Sequence, residues 1–192
     1  MTRQLKLSRI IDIMSGHSKW STIKHKKALT DAKKSKVFSK IASLITIAAR
    51  RGGDPDKNPT LRAITEKARE VNLPKDNIER AIKRGTGEIA GAALQEITYG
   101  AFGPGGVAIL ITVITDNKNR TLAEIKQILL EHNAKFAEVS SLQWMFKREG
   151  ADWVPNAPLK IEDENIKKEL EALYEALDEQ RDVNEIYDNT GN

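Results

Sequence analysis

Along this chain of 192 residues the spacing of apolar side chains changes once, across the small-residue stretch Glu88 to Ala93, and that change limits what either side can build. Before it, apolar residues recur at the three- to five-residue steps of a helix with one buried stripe. After it they alternate or gather in short β-branched runs. The chain therefore reads as α+β: a helical domain over residues 16–87, a linker over 88–93 and a mixed domain over 94–192.

In the helical part, Ile23, Ala28, Ala32, Val37, Ile41, Leu44, Ile45 and Ala48 form the stripe of a first helix, which Gly52, Gly53, Asp54 and Pro55 stop at Arg51. Ser18 or Ser21 is expected to cap it, with Trp20 at its entry either packing into the core or stacking on a base. Asn58 then caps a second helix that begins with Pro59, carries Leu61, Ile64, Ala68 and Val71 inward and ends at Asn72 and Pro74. Asp76 is expected to cap a third, with Ile78 and Ile82 inward, Lys75, Arg80, Lys83 and Arg84 outward, and Gly85 and Gly87 closing it. The first fifteen residues lack the apolar core and cleavage site of a secretory signal, and read as a tail or as an early start codon ahead of Met14.

Charge follows the same division. Residues 16–51 hold ten Lys or Arg against the single acid Asp31, a local charge of +9, with the lysines filling the positions between the apolar ones. Such a face is an electrostatic footprint for phosphate, because each neutralised phosphate releases condensed counterions. Lys19, Lys24, His25, Lys26, Lys27, Lys33, Lys34, Lys36, Lys40, Arg50 and Arg51 are the candidate nucleic-acid-binding residues. His17 and His25 lie eight apart with no carboxylate or thiol at a matching spacing, so they are read as adding hydrogen bonds or charge to this face, not as metal ligands. Residues 1–90 stand at +12 and residues 91–192 at −8, as expected of two bodies with different tasks.

The absence of cysteine excludes disulfides, thiolate catalysis and cysteine-ligated zinc. No apolar stretch approaches the ~20 residues of a membrane span, and the longest, Val107 to Ile114, has the length of a strand.

In the second half, Leu94 to Phe102 and Val107 to Thr115 read as strands joined by Gly103-Pro104-Gly105-Gly106, a turn that lacks the ending of a phosphate loop and links two strands instead of a strand and a helix. A helix from Thr121 to His132-Asn133 follows, then a strand over Glu138 to Lys147 with Leu142, Trp144 and Phe146 on one side. Trp153 to Ile161 reads as an edge strand, Glu164 to Gln180 as an acidic helix and Val183 to Tyr187 as a last strand. The β-α-β, β-α-β order is that of a ferredoxin-like sandwich, an antiparallel sheet with two helices on one face.

The stretches GHSKWSTIKHKKALTDAKKSKVFSK, GGDPDKNPTLRAITEKAREVNLPKDNIERAIKRGTGE and YGAFGPGGVAILITVITDNKNRT, followed by SSLQWMFKREG, WVPNAPLKIEDE and DVNEIYDN, resemble the successive signatures of the YebC/PmpR family. The resemblance implies a cytoplasmic, DNA-binding regulator of transcription, or alternatively a ribosome-associated translation factor that binds rRNA or tRNA. It also implies a third domain inserted between the second and third strands of the ferredoxin-like sheet. Here the flanking motifs, ending at Gly150 and beginning at Trp153, are nearly adjacent, so a short form without the insertion is expected.

Against an enzyme, the basic half offers only the scattered acids Asp31, Asp54, Asp56, Asp76 and Glu79, and turn chemistry explains Asp54 and Asp56 without an ion. No catalysis and no cofactor are expected. The expected partners are duplex DNA, or rRNA or tRNA on the ribosome, with a protein partner for residues 91–192 as a compatible addition and no membrane.

Overall fold

The computed structural model describes residues 31–149 and 152–190, with side chains from Lys34 onward. Over these residues the chain forms two compact units that divide between Glu96 and Ile97.

The first unit is three helices, α1 (Asp31–Ala49), α2 (Pro59–Glu70) and α3 (Lys75–Thr86). Ile41, Ile45, Ala48 and Ala49 of α1 pack with Leu61, Ala68, Val71, Leu73, Ile78 and Ala81 in one core. Helices of this length are marginal alone, so that shared core is what holds them. Asn58 is the N-cap of α2, its side-chain oxygen accepting from the Leu61 amide at 3.1 Å, with Pro59 opening the helix. Two boundaries differ from expectation. Pro74, not Asp76, holds the cap position of α3, and Asp76 falls in the first turn. Gly85 lies within the helix, while Gly87 closes it in the left-handed conformation at φ 82°.

The second unit contains β1 (Gln95–Phe102), β2 (Ala108–Thr115), α4 (Lys118–Glu131), β3 (Lys135–Ala137), α5 (Val139–Leu142), β4 (Phe146–Glu149), β5 (Asp152–Pro155), α6 (Glu164–Glu179) and β6 (Val183–Asp188). Four strands make a sheet in the order β3-β1-β2-β6, with β1–β3 and β2–β6 antiparallel. The α+β class holds, and both long helices lie on one face. Ile125 and Leu129 of α4 and Leu170, Leu173, Tyr174 and Leu177 of α6 share a core with Ile109, Ile111 and Val113 of β2.

The opposite face is where the structure departs from the sequence reading. Residues 138–147 are not one strand: after the short β3 the chain makes α5 and a 3-10 turn (Gln143–Met145), and only then β4. Nor do β4 and β5 join the main sheet. They pair with each other in a separate two-stranded sheet, Phe146 opposite Pro155 and Glu149 opposite Asp152. Phe146 and Trp153 of this hairpin pack with Leu142 of α5 onto Ala108, Leu110 and Tyr187. Every residue of β2 is thereby buried, helices covering its odd-numbered side chains and the hairpin its even-numbered ones toward Ala108. This explains why its sequence is an unbroken β-branched run instead of an alternating one. A register shift between Thr112 and Val113 makes Asn184 an extra residue on β6. Val183 and Ile186, three apart, both reach the helix-side core because of it.

Candidate nucleic-acid interface

Of the candidate residues, Lys19, Lys24, His25, Lys26 and Lys27 lie outside the described residues, as do His17, Ser18, Trp20 and Ser21. Lys33 lies in α1, where the backbone alone is described. Lys34 is exposed and Lys36 half-buried near the start of α1, while Arg50 and Arg51 are exposed just past its end. Sixteen residues separate Lys34 from Arg50, roughly 24 Å at the helical rise, so these cations run the length of α1 instead of meeting at one spot. Lys40 departs from the expectation of an exposed phosphate contact. Only 7% of it is accessible.

The end of α1 that carries Arg50 and Arg51 is held against the end of α3 by close packing. A Cβ placed on Gly85 would lie 2.4 Å from the Thr46 carbonyl oxygen and 2.6 Å from the Ala49 Cβ, so a residue without a side chain is what lets the two backbones meet. The Thr46 hydroxyl, within bonding distance of both the Ala42 carbonyl at 2.9 Å and the Ala81 carbonyl at 3.2 Å, adds a polar tie between the helices. Asn58 completes the joint: buried to 6% exposure, it donates its amide to the Ala48 carbonyl at 2.9 Å and to the Gly52 carbonyl at 2.8 Å. It thus caps the start of α2 and the end of α1 at once.

Lys83 and Arg84 precede Gly85 and are exposed, as is Arg80 one turn earlier. The joined helix ends therefore gather Arg50, Arg51, Lys83 and Arg84. Cations there complement the negative ends of two helix dipoles, worth about 0.3–1 kcal/mol each, which is reason enough for some of them. The placing of acidic partners is more telling. In this unit Lys57 meets Asp54 at 3.5 Å, Arg62 meets Asp56 and the Pro55 and Asp56 carbonyls, and Lys75 meets Glu79 at 3.4 Å. None of Arg50, Arg51, Arg80, Lys83 and Arg84 takes part in such a described pair. Arg80, Lys83 and Arg84 read as outward-facing from their helical spacing. What the sequence could not show is that α3 ends beside α1 and so joins their charge to that of Arg50 and Arg51.

The acids of this unit are engaged in their own loop. Asp54 accepts the Asp56 amide at 3.0 Å and faces Lys57, and that backbone hydrogen bond holds its carboxyl below the usual range. No group of three His, Cys, Asp or Glu side chains converges among the described residues.

In the second unit the densest polar cluster joins elements instead of opening a site. Asp182, its side chain 12% exposed, receives Thr121 at 2.6 Å, Arg120 at 2.9 Å and Thr115 at 3.1 Å. Burial opposes its ionisation, but these hydrogen bonds outweigh it and hold the carboxyl below its ordinary value. Gln180 accepts the Asp182 and Val183 amides and donates to Glu124 at 2.8 Å, so the cluster ties the end of β2, the start of α4 and the end of α6.

A family model described as the TACO1/YebC protein N-terminal domain matches residues 18–88, and one described as the TACO1/YebC second and third domain matches residues 94–151. A protein of Dictyoglomus turgidum named "Probable transcriptional regulatory protein" is 51% identical over 174 residues, spanning 90% of this chain and 70% of that protein. One of Petrotoga mobilis with the same name is 50% identical over 174 residues, spanning 90% of this chain and 69% of that protein. Among solved structures, the crystal structure of a conserved hypothetical protein, Aq1575 from Aquifex aeolicus, matches with a TM-score of 0.82 at 28% identity, over 91% of this chain and 97% of that one. Among the described residues no helix is long and apolar enough to cross a membrane.

Proposed function

Because this chain belongs to the TACO1/YebC family, whose Dictyoglomus and Petrotoga members are named probable transcriptional regulatory proteins, we propose that it is a non-enzymatic regulator of gene expression that binds duplex DNA through its helical unit. The observation that carries this reading is the set of exposed cations without described acidic partners at the joined ends of α1 and α3, continued along α1 by the lysine-rich stretch. Arg50, Arg51, Lys83 and Arg84, together with the lysines from Lys19 to Lys36, neutralise phosphates. Contacts of this kind fix position and orientation but carry no base sequence, so selectivity comes from duplex shape or from the second unit.

In this reading the chain is also a short form of its family. Two observations favour it: Glu149 pairs with Asp152 across only two intervening residues, and the match to the second-and-third-domain model ends at residue 151. The hairpin tip is then the point at which longer relatives depart from this fold.

The alternative reading, a ribosome-associated translation factor, uses the same basic surface on rRNA or tRNA, since phosphate chemistry does not separate the two. Sedimentation of native lysate at physiological salt, with and without nuclease, distinguishes them. Retained duplex binding without co-migration supports the DNA reading. Co-migration with ribosomes that is lost in a variant carrying Arg50→Ala, Arg51→Ala, Lys83→Ala and Arg84→Ala replaces it with the translational one.

A further inference from the structure

We propose that Trp144, on the 3-10 turn between α5 and β4, is a stacking platform for an unpaired nucleic-acid base. This inference rests on the nucleic-acid reading above and adds a second contact, in the second unit. Trp144 is 70% exposed, one of two large apolar side chains so exposed among the described residues. A lone exposed apolar residue needs no explanation, and Leu130 at 73% gets none. Trp144 differs in how it is held. Its indole N–H donates to the Ser141 carbonyl at 2.9 Å, and its own carbonyl accepts the Asn156 side chain at 2.8 Å. The Asn156 amide also donates to the Met145 carbonyl at 2.8 Å, so the turn is fastened to the residue just beyond β5. The only polar atom of the ring is therefore engaged, and what remains on offer is a fixed, solvent-facing π surface.

A fixed aromatic plane suits a flat partner, and the local charge suits an anionic one. Residues 91–192 are acidic as a whole, but eleven of their eighteen acids lie from Glu162 to Asp188, on or beside α6 and β6. Segment 143–149, by contrast, holds Lys147 and Arg148 against Glu149 alone. Lys147 is half-exposed and paired with Glu149 at 2.7 Å, and the Arg148 guanidinium lies 4.3 Å from the Trp153 ring centre. The strand that follows Trp144 thus carries two cations against one acid, apart in the chain from the acid-rich strip. Stacking of this kind is tolerant of sequence and needs a base free of its duplex, which commits the site to single-stranded DNA or RNA, or to a loop or end of either.

The test uses the full chain and its Trp144→Ala and Trp144→Phe variants, with short oligothymidylate and a duplex of equal phosphate number as probes across a salt series. The expected result is that Trp144→Ala weakens oligothymidylate binding about 5- to 100-fold with an unchanged salt slope, that Trp144→Phe keeps most of the affinity, and that duplex binding is the same in all three. Equal oligothymidylate binding by Trp144→Ala and the parent overturns the platform. So does an effect of the substitution on a proline-rich peptide but not on the oligonucleotide. The failure of the broader reading looks different: it would appear as duplex binding that ignores removal of the arginines and lysines at the α1–α3 joint.

Discussion

Asn58 illustrates how much one side chain can carry and how much of that a sequence discloses. Its cap role is legible, because Asn followed by Pro before an apolar helical pattern has few other meanings. Its two bonds to the carbonyls of Ala48 and Gly52 are not, since they depend on where α1 ends in space. Asn58→Ala removes the cap and strands buried carbonyls, and is expected to cost about 2–4 kcal/mol, read as a lowered urea midpoint. A loss below about 1 kcal/mol would mean that water replaces the amide. Asp182 offers a pH test. Its folded carboxyl titrates below its ordinary value of 3.8, so its contribution is present above that value and lost as the pH falls through the lower folded one. Asp182→Asn should therefore be less stable than the parent at neutral pH, with the gap narrowing as the pH drops below about 4. A gap of constant size across that range would contradict the assignment.

At the level of elements, α2, α3, α4 and α6 were readable to within a few residues of their ends because each has a long apolar period and a cap or breaker beside it. The strands between β2 and α6 were not. Leu142, Trp144 and Phe146 alternate as a strand would, yet Leu142 ends a helical turn, Trp144 faces solvent and Phe146 starts β4. Three residues cannot separate those cases, because a short turn followed by a strand gives the same spacing. The covering of β2 by the hairpin was implicit in its unbroken apolar run, but the run does not say what covers it. Lys40 was misplaced for a related reason: a residue at the edge of a stripe is turned inward or outward by its neighbours, not by its own spacing. Gly85 reads as a helix stop and is instead the point where α1 and α3 meet. Gly85→Ala gains up to about 1 kcal/mol of helix propensity. It also places a carbon 2.4 Å from a backbone oxygen that cannot move without shifting α1. The clash should win, so that the variant unfolds at lower temperature and binds nucleic acid more weakly. A raised melting temperature would show that the helices separate at little cost.

For the molecule as a whole, the charge division seen in the sequence, +12 over residues 1–90 and −8 over 91–192, corresponds to a helical unit with exposed cations at its joined helix ends and a mixed unit whose acids concentrate toward its C-terminal end. The basic face was legible as a stretch, but its extension onto α3 was not, since only the packing at Gly85 brings Lys83 and Arg84 to the end of α1. The most direct test of the central claim, that these cations bind phosphate, is the dependence of duplex affinity on salt. Logarithmic plots for the parent chain and for the variant carrying Arg50→Ala, Arg51→Ala, Lys83→Ala and Arg84→Ala should both be linear, with the variant's slope shallower by roughly 2–4, at about 0.9 for each phosphate no longer neutralised. Equal slopes, with both proteins folded by circular dichroism, would contradict it.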